Sequence, residues 1–589
     1  MSRDHAHAFI PRKPDPDPDT GLNLARALTR SRSSLWRGWS PGLPSFTEYE
    51  RTAYKFPWLQ GPESICSLED PHGNPSDLVL EHPDFTDRSH LLPIRHTQAG
   101  SAMIPIPEKS VPEHGSQSDD VEDPDLVTWS GPSDPMNPKN WPKHKKWTAT
   151  ILVSCFTFIS PVSSTMLAPA LETLADELHV KSDIETYLLM SIFLLAYAVG
   201  PFVLAPLSEM YGRVVVLQSA NMFYLLFNTV CGFSSSKEQM LAFRFLSGLG
   251  GSAPQALGGG VLSDCWRAEE RGTATAIYSL APFLGPAVGP IAAGYLTQYT
   301  SWRWIFWTVS IADALVQVLA FLFLSETYPP KILAVKAKRL RKETGNENLR
   351  TEYDRPDRTF GQTLRKNLVR PFRMLFTQPA LQITALYRAY LYGLMYFVLA
   401  SFPFVWSKQY DQEPGPASLN YISLGVGFVI GLQISGPLID KVYRSLKAQN
   451  SDVGVPEFRI PLMLPTAIVT PVGLLVYGIT AYYKIHWIVP NIGAGILAAG
   501  LILSFQCVQT YVIDSYERYA ASAAGAAAFV RTMAGFSFPL FAPRLYDAMG
   551  IAWGNVLLAG IVLVMGVIVP GVMWKWGAWL RNKSQYCAG

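Results

Sequence analysis

The sequence predicts an all-α integral membrane protein with twelve transmembrane helices arranged as two six-helix halves. Of its 589 residues, 49% are hydrophobic and 16% are charged, whereas about a quarter of the residues in soluble domains are charged. Apolar stretches of about twenty residues or more recur from Thr148 onward, and each is long enough to cross a bilayer as a helix. Helices are expected because lipid offers the backbone no water for hydrogen bonding.

The charged residues are concentrated in two segments outside the apolar stretches. Residues 1–147 hold 37 of them and residues 326–378 hold 19, so the other 389 residues share only 39. So few charges cannot cover the surface of a soluble protein of this size, and they indicate that lipid is the solvent. The formal net charge of +3 provides no basic surface of the kind that binds nucleic acid.

The apolar stretches number twelve. A transmembrane β-barrel would instead alternate apolar and polar residues over about ten positions, and these stretches lack that alternation. Their ends are defined only to within several residues. In order, the predicted spans are residues 148–170, 184–206, 213–233, 239–263, 273–297, 302–325, 380–404, 418–439, 459–483, 487–511, 519–543 and 551–574.

Five segments follow from this pattern. Residues 1–147 contain 20 of the 45 prolines and no hydrophobic periodicity, which is typical of a disordered chain. We interpret them as a cytoplasmic tail that is either passive or regulated through its many serines. Residues 148–325 form the N-terminal six-helix bundle, and residues 379–576 form the C-terminal one. Residues 326–378 are a basic cytoplasmic loop between the bundles, and residues 577–589 are a cytoplasmic C-terminal tail.

The distribution of Lys and Arg predicts the orientation in the membrane. Basic residues cluster in 143–146, 326–378, 441–447 and 575–583, and all four segments fall on one side if the number of spans is even. Cytoplasmic connections carry such an excess, so both termini are expected in the cytoplasm. The acidic first connection, residues 171–183, then falls on the other side. We expect a multi-pass protein of the cell membrane, with the vacuolar membrane as the alternative.

A short repeat supports the division into two halves. Residues 206–213 read PLSEMYGR, and residues 437–444 read PLIDKVYR. Both segments end an even-numbered span, and this matched position argues against chance similarity. Two six-helix halves with matched sites are the pattern of a duplicated transporter. The charged residues that align between the copies are Glu209 with Asp440 and Arg213 with Arg444.

The first copy of this repeat resembles the signature of the major facilitator superfamily. Residues 205–217, APLSEMYGRVVVL, are similar to the pattern G-x-L-A-D-R-x-G-R-K-x-x-L of the loop between the second and third spans. Glu209 stands for the acid of that pattern, and Gly212 and Arg213 match it. A tight turn needs the glycine, and a carboxylate beside a guanidinium can hold two helix bundles together. Three other positions depart from the pattern, which implies a weaker latch.

The resemblance implies a charge network that latches the cytoplasmic face. The family's D…E-R-G pattern at the next cytoplasmic loop is matched by Asp264 and by residues 270–272. The alternative interpretation is a simple turn whose arginines anchor the chain on the cytoplasmic side. The expected latch residues are Glu209, Gly212, Arg213, Asp264, Arg271, Asp440 and Arg444.

Two further spans resemble those of drug antiporters within this superfamily. In the fourth span, Arg244 and Gly248 are similar to an R-x-x-x-G signature. An arginine at lipid depth usually faces a polar interior, although it could instead reach the outer interface. The fifth span resembles the signature G-P-x-x-G-G, in which glycines four residues apart let helices pack closely. Packing alone is the alternative, and the position of the motif favours an exporter. The motif residues are Gly285, Pro286, Gly289, Pro290 and Gly294.

The resemblance narrows to fungal drug:proton antiporters of the twelve-span type, and it covers the chain from residue 137 onward. It implies the major-facilitator fold, small-molecule substrates and protons as partners, no cofactor, and a monomer in the bilayer. No enzyme is expected, since the sequence has no GxxxxGK[ST] phosphate loop and no deep histidines at metal-ligating spacing. The segments that carry this resemblance are NPKNWPKHKKW (137–147), SETYPPKIL (325–333), YISLGVGFVIG (421–431), PEFRIP (456–461) and DSYERYAASAAG (514–525).

Charged residues within the spans are candidates for the transport mechanism. Asp313 lies near the middle of the sixth span, and a mid-membrane ionisable group is a functional-site hypothesis by default. It could carry a proton or merely neutralise an arginine. We expect proton coupling at Asp313 and Arg244, because the approach of an arginine changes the proton affinity of a carboxyl group. The expected substrate cavity, with an aromatic wall suited to planar amphiphiles, comprises Arg388, Tyr392, Tyr396, Gln255 and Arg531.

The sequence therefore favours proton-coupled efflux of a small amphiphilic molecule, such as a toxin, a drug or a secondary metabolite, by alternating access. Two alternatives are an uptake or polyamine carrier of the same fold and a non-transporting membrane sensor whose long tail is the effector. A polyamine site would need several carboxylates in the cavity, and Asp313 alone argues against it.

Overall fold

The computed structural model of the chain describes residues 125–267, 270–354, 360–584 and 586–587. The first 124 residues of the predicted tail lie outside these described residues. Nearly all of the described chain between residues 143 and 582 is helical, as the predicted all-α membrane fold requires.

The first half contains helices at each of the six predicted spans. The fourth span consists of two helices that meet at Ser252, and a short helix, Leu171–Glu177, follows the first span. The spans of the first half are Lys143–Thr165, Asp183–Tyr211, Arg213–Cys231, Lys237–Gly251 with Ala253–Cys265, Arg271–Tyr299 and Trp302–Phe323.

The second half repeats this arrangement. Its last two spans form one continuous run, Ala520–Asn582, which is interrupted at Gly550 by a backbone φ of 72°. That conformation favours glycine, so we take Gly550 as the turn between the eleventh and twelfth spans. The other spans of the second half are Pro379–Tyr410, Tyr421–Gln449, Met463–Tyr482 and Ile488–Ser515, and the short helix Pro414–Leu419 precedes the eighth span.

The helices account for the predicted number of spans. Within the described part of the chain, 10 helices are long and apolar enough to cross a membrane. The paired helices of the fourth span add one crossing, and the turn at Gly550 divides the longest helix into two, so the helices are consistent with twelve spans. Several helices extend past the predicted ends, since their outer turns are polar and give no hydropathy signal.

The outward faces of the spans are apolar. On the sixth span, the side chain of Ile311 is 65% exposed and that of Phe321 is 77% exposed, whereas Asp313 on the same helix is fully buried. A helix that turns its large apolar side chains outward and its carboxylate inward is suited to lipid on the outside.

The two halves meet along two pairs of spans. The second span packs against the eleventh, and the fifth packs against the eighth and against Pro414–Leu419. Small residues allow the close approaches within and between the halves. A Cβ atom on Gly285 would lie 2.8 Å from the main-chain oxygen of Phe158, and one on Gly289 would lie 2.9 Å from that of Val162, both on the first span. A Cβ on Gly294 would overlap Ser418.

The central loop is folded and holds the segment before the first span. It contains two helices, Pro329–Thr344 and Phe360–Thr377. A two-residue strand, β1 (Leu126–Val127), pairs in parallel with β2 (Arg350–Thr351). The Lys336 Nζ atom donates to the Thr128 carbonyl oxygen at 2.9 Å and to the Ser130 hydroxyl at 2.7 Å.

These contacts revise the predicted boundary of the tail at residue 147. Residues 125–134 are packed on the central loop, where Val127, Ala337 and Leu349 form a small apolar cluster. The short helix Pro138–Asn140 contacts the end of the fourth span instead. The Asp134 carboxylate accepts hydrogen bonds from the main-chain N–H groups of Ser130 and Met136. The hydrogen bond from Ser130 contributes most to lowering the pKa of Asp134 below its usual value. A strand of two residues leaves no periodicity in the sequence, so the composition of this segment concealed its structure.

We predict that Gly289→Ala destabilises the protein by about 1–3 kcal/mol, the usual cost of overpacking a tight contact, because its Cβ would press on the backbone of the first span. Gly560→Ala is the matched control, since a Cβ on Gly560 meets no atom within 4 Å. The measurement is the thermal unfolding of both variants in the same detergent. Equal stability of the two variants would contradict a packing role for Gly289.

Candidate functional site

A cavity of about 670 Å³ lies between the two halves. This volume is typical of sites that enclose a drug-sized molecule. Its wall is built from spans 1, 2, 4 and 5 of the first half, from spans 7, 10 and 11 of the second half, and from the loop helix Phe360–Thr377. Because both halves contribute, a change in their relative position must reshape the cavity.

The cavity extends toward one side of the bundle. We call the side that carries the Lys- and Arg-rich segments 326–378 and 441–447 the basic side. On the second span, the lining residues run from Phe193 in the middle to Glu209 near the basic end, and on the eleventh they lie between Ala521 and Thr532, in its first half. The cavity therefore occupies the middle of the bundle and its basic half.

The opposite side of the bundle is closed by contacts between the halves. Above the cavity, the hydroxyl groups of Ser164 and Tyr396 form a hydrogen bond of 2.8 Å. Nearer the opposite surface, the Gln298 side chain donates to the Glu413 carboxylate and accepts from the Gly415 main-chain N–H at 2.9 Å. These contacts separate the cavity from the opposite surface.

On the basic side, three aromatic rings connect the halves through the central loop. Phe202 on the second span lies 4.9 Å from Phe372 of the loop helix and 5.6 Å from Phe529 on the eleventh span, measured between ring centroids. The Phe372 and Phe529 rings are 5.2 Å apart. Arg370 on the same loop helix lines the cavity. The linker between the halves is thus part of the cavity wall.

All of the residues that the sequence analysis grouped as a substrate cavity lie around this cavity, and Gln506 and Gln509 join them. The Arg388 guanidinium lies 4.1 Å from the centre of the Phe505 ring, and that of Arg531 lies 4.8 Å from the Tyr392 ring. Sequence analysis missed Phe505, because one phenylalanine in an apolar span carries no signal of its orientation. The predicted residues that line the cavity are Arg388, Tyr392, Tyr396, Gln255 and Arg531.

Arg244 is part of the scaffold of the first half and does not line the cavity. Its guanidinium is fully buried. It donates to the main-chain oxygen of Ser163 on the first span at 2.8 Å, and to those of Leu189 and Met190 on the second span at 3.4 and 3.1 Å. The side chain therefore ties spans 1, 2 and 4 together, and the alternative that it reaches the outer interface is excluded.

Asp313 lies apart from Arg244. Its carboxylate is fully buried and accepts hydrogen bonds from the Asn221 amide at 3.0 and 3.2 Å. No described basic side chain forms an ion pair with it. Arg244 is linked to the third span through Ser163, which accepts from Arg244 through its main-chain oxygen and forms a hydrogen bond with Tyr224 through its hydroxyl. In the conformation described here, Arg244 and Asp313 do not form an ion pair, and the expected coupling between them stays a prediction.

Asp313 belongs to a ladder of polar contacts between the third and sixth spans. Farther from the basic side than Asp313, the Asn228 amide donates to the Ser310 hydroxyl at 2.9 Å. Nearer the basic side, the Gln218 amide donates to the main-chain oxygen of Ala320 at 3.0 Å. The Glu326 carboxylate completes the ladder at the basic side by accepting from the main-chain N–H of Arg213 at 3.0 Å. The sequence signal that could have located this interface is the presence of Gln218, Asn221 and Asn228 on one face of the apolar third span.

The predicted latch forms an ion pair within the first half. Arg213 Nε lies 2.6 Å from Asp264 Oδ2, so the start of the third span is joined to the end of the fourth. Gly212 turns the chain between spans 2 and 3 with a φ of 103°, which favours glycine. Glu209 lines the cavity near its basic end, and the half-buried Arg271 begins the fifth span.

In the second half, Arg459 takes the position that the sequence repeat gave to Arg444. Arg459 forms ion pairs of 2.8 Å with both Asp440 and Asp514. Arg459 lies just before the ninth span and Asp514 at the end of the tenth, as Arg213 and Asp264 do for the third and fourth. Arg444 donates instead to the main-chain oxygen of Asp440, because the eighth span continues to residue 449 and places both residues on one helix.

A second ion pair strengthens the same corner of the second half. Arg581, at the end of the twelfth span, donates to the Glu457 carboxylate through two bonds of 2.8 and 2.9 Å. Both side chains are largely buried, and paired bonds of this kind fix geometry as well as charge. The PEFRIP segment thus contributes both Glu457 and Arg459 to the ion pairs of the second half. The sequence analysis did not predict this role.

In the fifth span, the antiporter motif contacts the first span. Gly285 and Gly289 provide the close approach described above. Pro290 has no N–H, so it leaves the main-chain oxygen of Pro286 without its usual helical partner. The Thr165 hydroxyl donates to that oxygen at 3.4 Å. The motif therefore builds a rigid, closely packed wall beside the cavity.

Comparison with known proteins places the chain in a family. The model of the Major Facilitator Superfamily matches residues 153–539. The chain is 48% identical over 472 residues to a protein named efflux pump vrtL of Penicillium aethiopicum, covering 80% of this chain and 93% of that one. It is 37% identical over 514 residues to efflux pump radE of Floropilus chiversii, covering 86% and 94% of the two chains.

Solved structures share the fold at low identity. A bacterial homologue of the human lysosomal transporter Spinster has a TM-score of 0.55 and 14% identity, covering 75% of this chain and 99% of that one. The proton:xylose symporter XylE has a TM-score of 0.54 and 15% identity, covering 74% and 96%. With the family match over most of the membrane region, these findings show that the chain belongs to the major facilitator superfamily.

Proposed function

We propose that this secondary transporter is a proton-coupled efflux carrier for small amphiphilic molecules and that it works by alternating access. The observation that carries the proposal is the cavity between the halves, which extends to the basic side and is closed on the opposite side. A carrier needs a site that opens to one side at a time. Membership of the family makes the protein a transporter and not an enzyme.

The orientation supports the direction of transport. Segments rich in Lys and Arg lie in the cytoplasm of multi-pass proteins, so we assign the basic side to the cytoplasm and with it both termini. The cavity then opens where an exporter loads its substrate. Two relatives that match more than nine-tenths of their own length bear the name efflux pump.

The two halves move as bodies in this proposal. The pair Arg213–Asp264 and the pairs of Arg459 each join helix ends within one half. These ion pairs would keep each half rigid while the two halves rotate relative to each other. When the basic side closes, the contacts between the halves would change, and the contacts within each half would stay the same. Glu209 and the loop helix that carries Arg370 are then placed to meet at the closing mouth.

Proton coupling is proposed at Asp313. Burying a carboxylate without a paired cation is costly, and a proton removes that cost. Asp313 joins the third and sixth spans, and Ser163 and Tyr224 connect this region to Arg244. A change in packing between spans 1, 2 and 3 during transport would alter the surroundings of Asp313 and so its affinity for a proton.

The cavity does not favour the polyamine alternative. Among the described residues that line it, Glu209 is the only carboxylate, whereas Arg370, Arg388 and Arg531 are basic. A polycation would be repelled by three guanidinium groups.

Efflux is tested in cells that lack or overproduce the protein. Overproducing cells should accumulate less of a transported compound and tolerate more of it, and a protonophore should abolish the difference. Screening amphiphilic compounds for both resistance and intracellular content provides the measurement. Higher accumulation in overproducing cells would indicate uptake instead.

For the proton site, we predict that Asp313→Asn retains substrate binding but loses export driven by a pH gradient, because the amide oxygen can still accept from Asn221 but the amide cannot exchange a proton. Asp411→Asn is the control, as Asp411 is an exposed residue between spans. Export from vesicles under an imposed gradient is measured for both variants. Full gradient-driven export by Asp313→Asn would assign Asp313 a purely structural role.

For the latch, Arg459→Ala should lower stability by about 1–3 kcal/mol through the loss of charged hydrogen bonds and should reduce transport at matched expression. Arg444→Ala should leave both nearly unchanged, since the exposed Arg444 donates to a main-chain oxygen and forms no ion pair with the described residues. Thermal unfolding and flux distinguish the two variants. A larger defect in Arg444→Ala than in Arg459→Ala would contradict this assignment and support Arg444 as the counterpart of Arg213.

A further inference from the structure

The cavity holds positive charge that the described protein does not neutralise. Its charged lining residues are Glu209, Arg370, Arg388 and Arg531. Glu209 and Arg370 are at the basic mouth, whereas Arg388 and Arg531 lie deep between the halves. Neither deep arginine forms an ion pair with any acidic group among the residues that the structure describes.

The deep arginines also have unused hydrogen-bond donors. Arg388 is 4% exposed, and its Nε and Nη1 atoms have no hydrogen-bond partner, nor does Nε of the half-buried Arg531. A buried donor without a partner costs free energy, and the cost is larger for a charged group. A bound molecule that accepts these hydrogen bonds would recover it.

Both arginines face the same aromatic surface. The Phe505 ring centre lies 4.1 Å from the Arg388 guanidinium carbon and 5.4 Å from that of Arg531. Tyr392 lies 4.8 Å from Arg531 and 6.1 Å from Phe505. Ring faces attract cations but accept no strong hydrogen bond, so they position the guanidinium groups and leave their N–H donors available.

Arg244 shows what a structural arginine looks like in the same protein. It is fully buried, yet it donates to three main-chain oxygens and lies outside the cavity. The lipid environment therefore does not by itself leave arginines unpaired. Arg388 and Arg531 differ from Arg244 in that they have unpartnered donors and line the cavity.

We infer that the cavity binds an organic anion, with a carboxylate or phenolate oxygen between Arg388 and Arg531 and an aromatic or other planar apolar body against Phe505 and Tyr392. This inference rests on the proposed function and specifies its substrate class. Planar guanidinium groups match oxyanions through paired hydrogen bonds. The apolar part of the wall, which includes Phe193, favours an organic anion over a small inorganic one.

The test uses the purified full-length protein in detergent and two dyes with the same xanthene ring system. Fluorescein is an anion at neutral pH, whereas rhodamine 123 is a cation whose carboxyl group is esterified. Fluorescence anisotropy measures their binding. We expect fluorescein to bind more tightly than rhodamine 123. Arg388→Gln and Arg531→Gln should each weaken fluorescein binding by about tenfold or more, the loss expected for a charged hydrogen bond, and should leave rhodamine 123 binding equal or stronger.

Arg544→Gln is the matched control, since Arg544 is an exposed residue farther along the eleventh span and outside the cavity; it should bind fluorescein as the unmodified protein does. Thermal unfolding separates binding from folding. Removing an unpaired buried charge should leave Arg388→Gln as stable as the unmodified protein or more so. A structural arginine would instead lose stability.

Several results would overturn the inference. They are equal affinity for the two dyes, binding of neither dye, unchanged fluorescein affinity in the variant that carries both substitutions, or displacement of fluorescein by inorganic phosphate at similar concentration. Export of cationic or neutral compounds by cells, unaffected by Arg388→Gln, would reject the anion class and leave efflux standing. Anion binding without any export would reject efflux and leave the site standing.

Discussion

The need to satisfy every polar group inside the protein governs this structure, because lipid provides no hydrogen bonds. The two fully buried charged side chains within the spans of the first half, Arg244 and Asp313, both have hydrogen-bond partners. Arg244 donates to three main-chain oxygens, and Asp313 accepts from Asn221. These contacts join spans 1, 2 and 4 and spans 3 and 6, so the polar interior of the first half is also what holds it together.

Among the buried charged side chains that the structure describes, those with unpartnered donors lie at the wall of the cavity. Arg388 and Arg531 have donors without partners at the wall of the cavity. The cavity is also the place where the two halves face each other without a continuous packed core. A site that is left incomplete by the protein and shared between two rigid halves is suited to a molecule that enters, completes it and leaves when the halves move.

The sequence predicted the spans and their grouping into halves, because apolar length and charge placement are visible residue by residue. The family followed from the resemblance of short motifs to those of the superfamily. The sequence also grouped Arg388 and Tyr392 as neighbours at helical spacing, and both line the cavity. It could not predict contacts that depend on the rotation of a helix about its axis. Asp313 and Arg244 both lie within spans of the first half but have different hydrogen-bond partners. The sequence repeat aligned Arg444 with Arg213. In the structure, the arginine that pairs with carboxylates at the matching helix ends of the second half is Arg459.

Alternating access is the central claim, and paired distance measurements test it directly. In a variant without the six cysteines, spin labels at Met210 and Ala521 report the basic side, and labels at Thr300 and Asp411 report the opposite side; all four are exposed. The account predicts that the basic-side distance shortens and the opposite-side distance lengthens as the conditions change from a resting state to substrate with an imposed pH gradient. Distances that stay fixed on both sides, or change in the same direction, would contradict it.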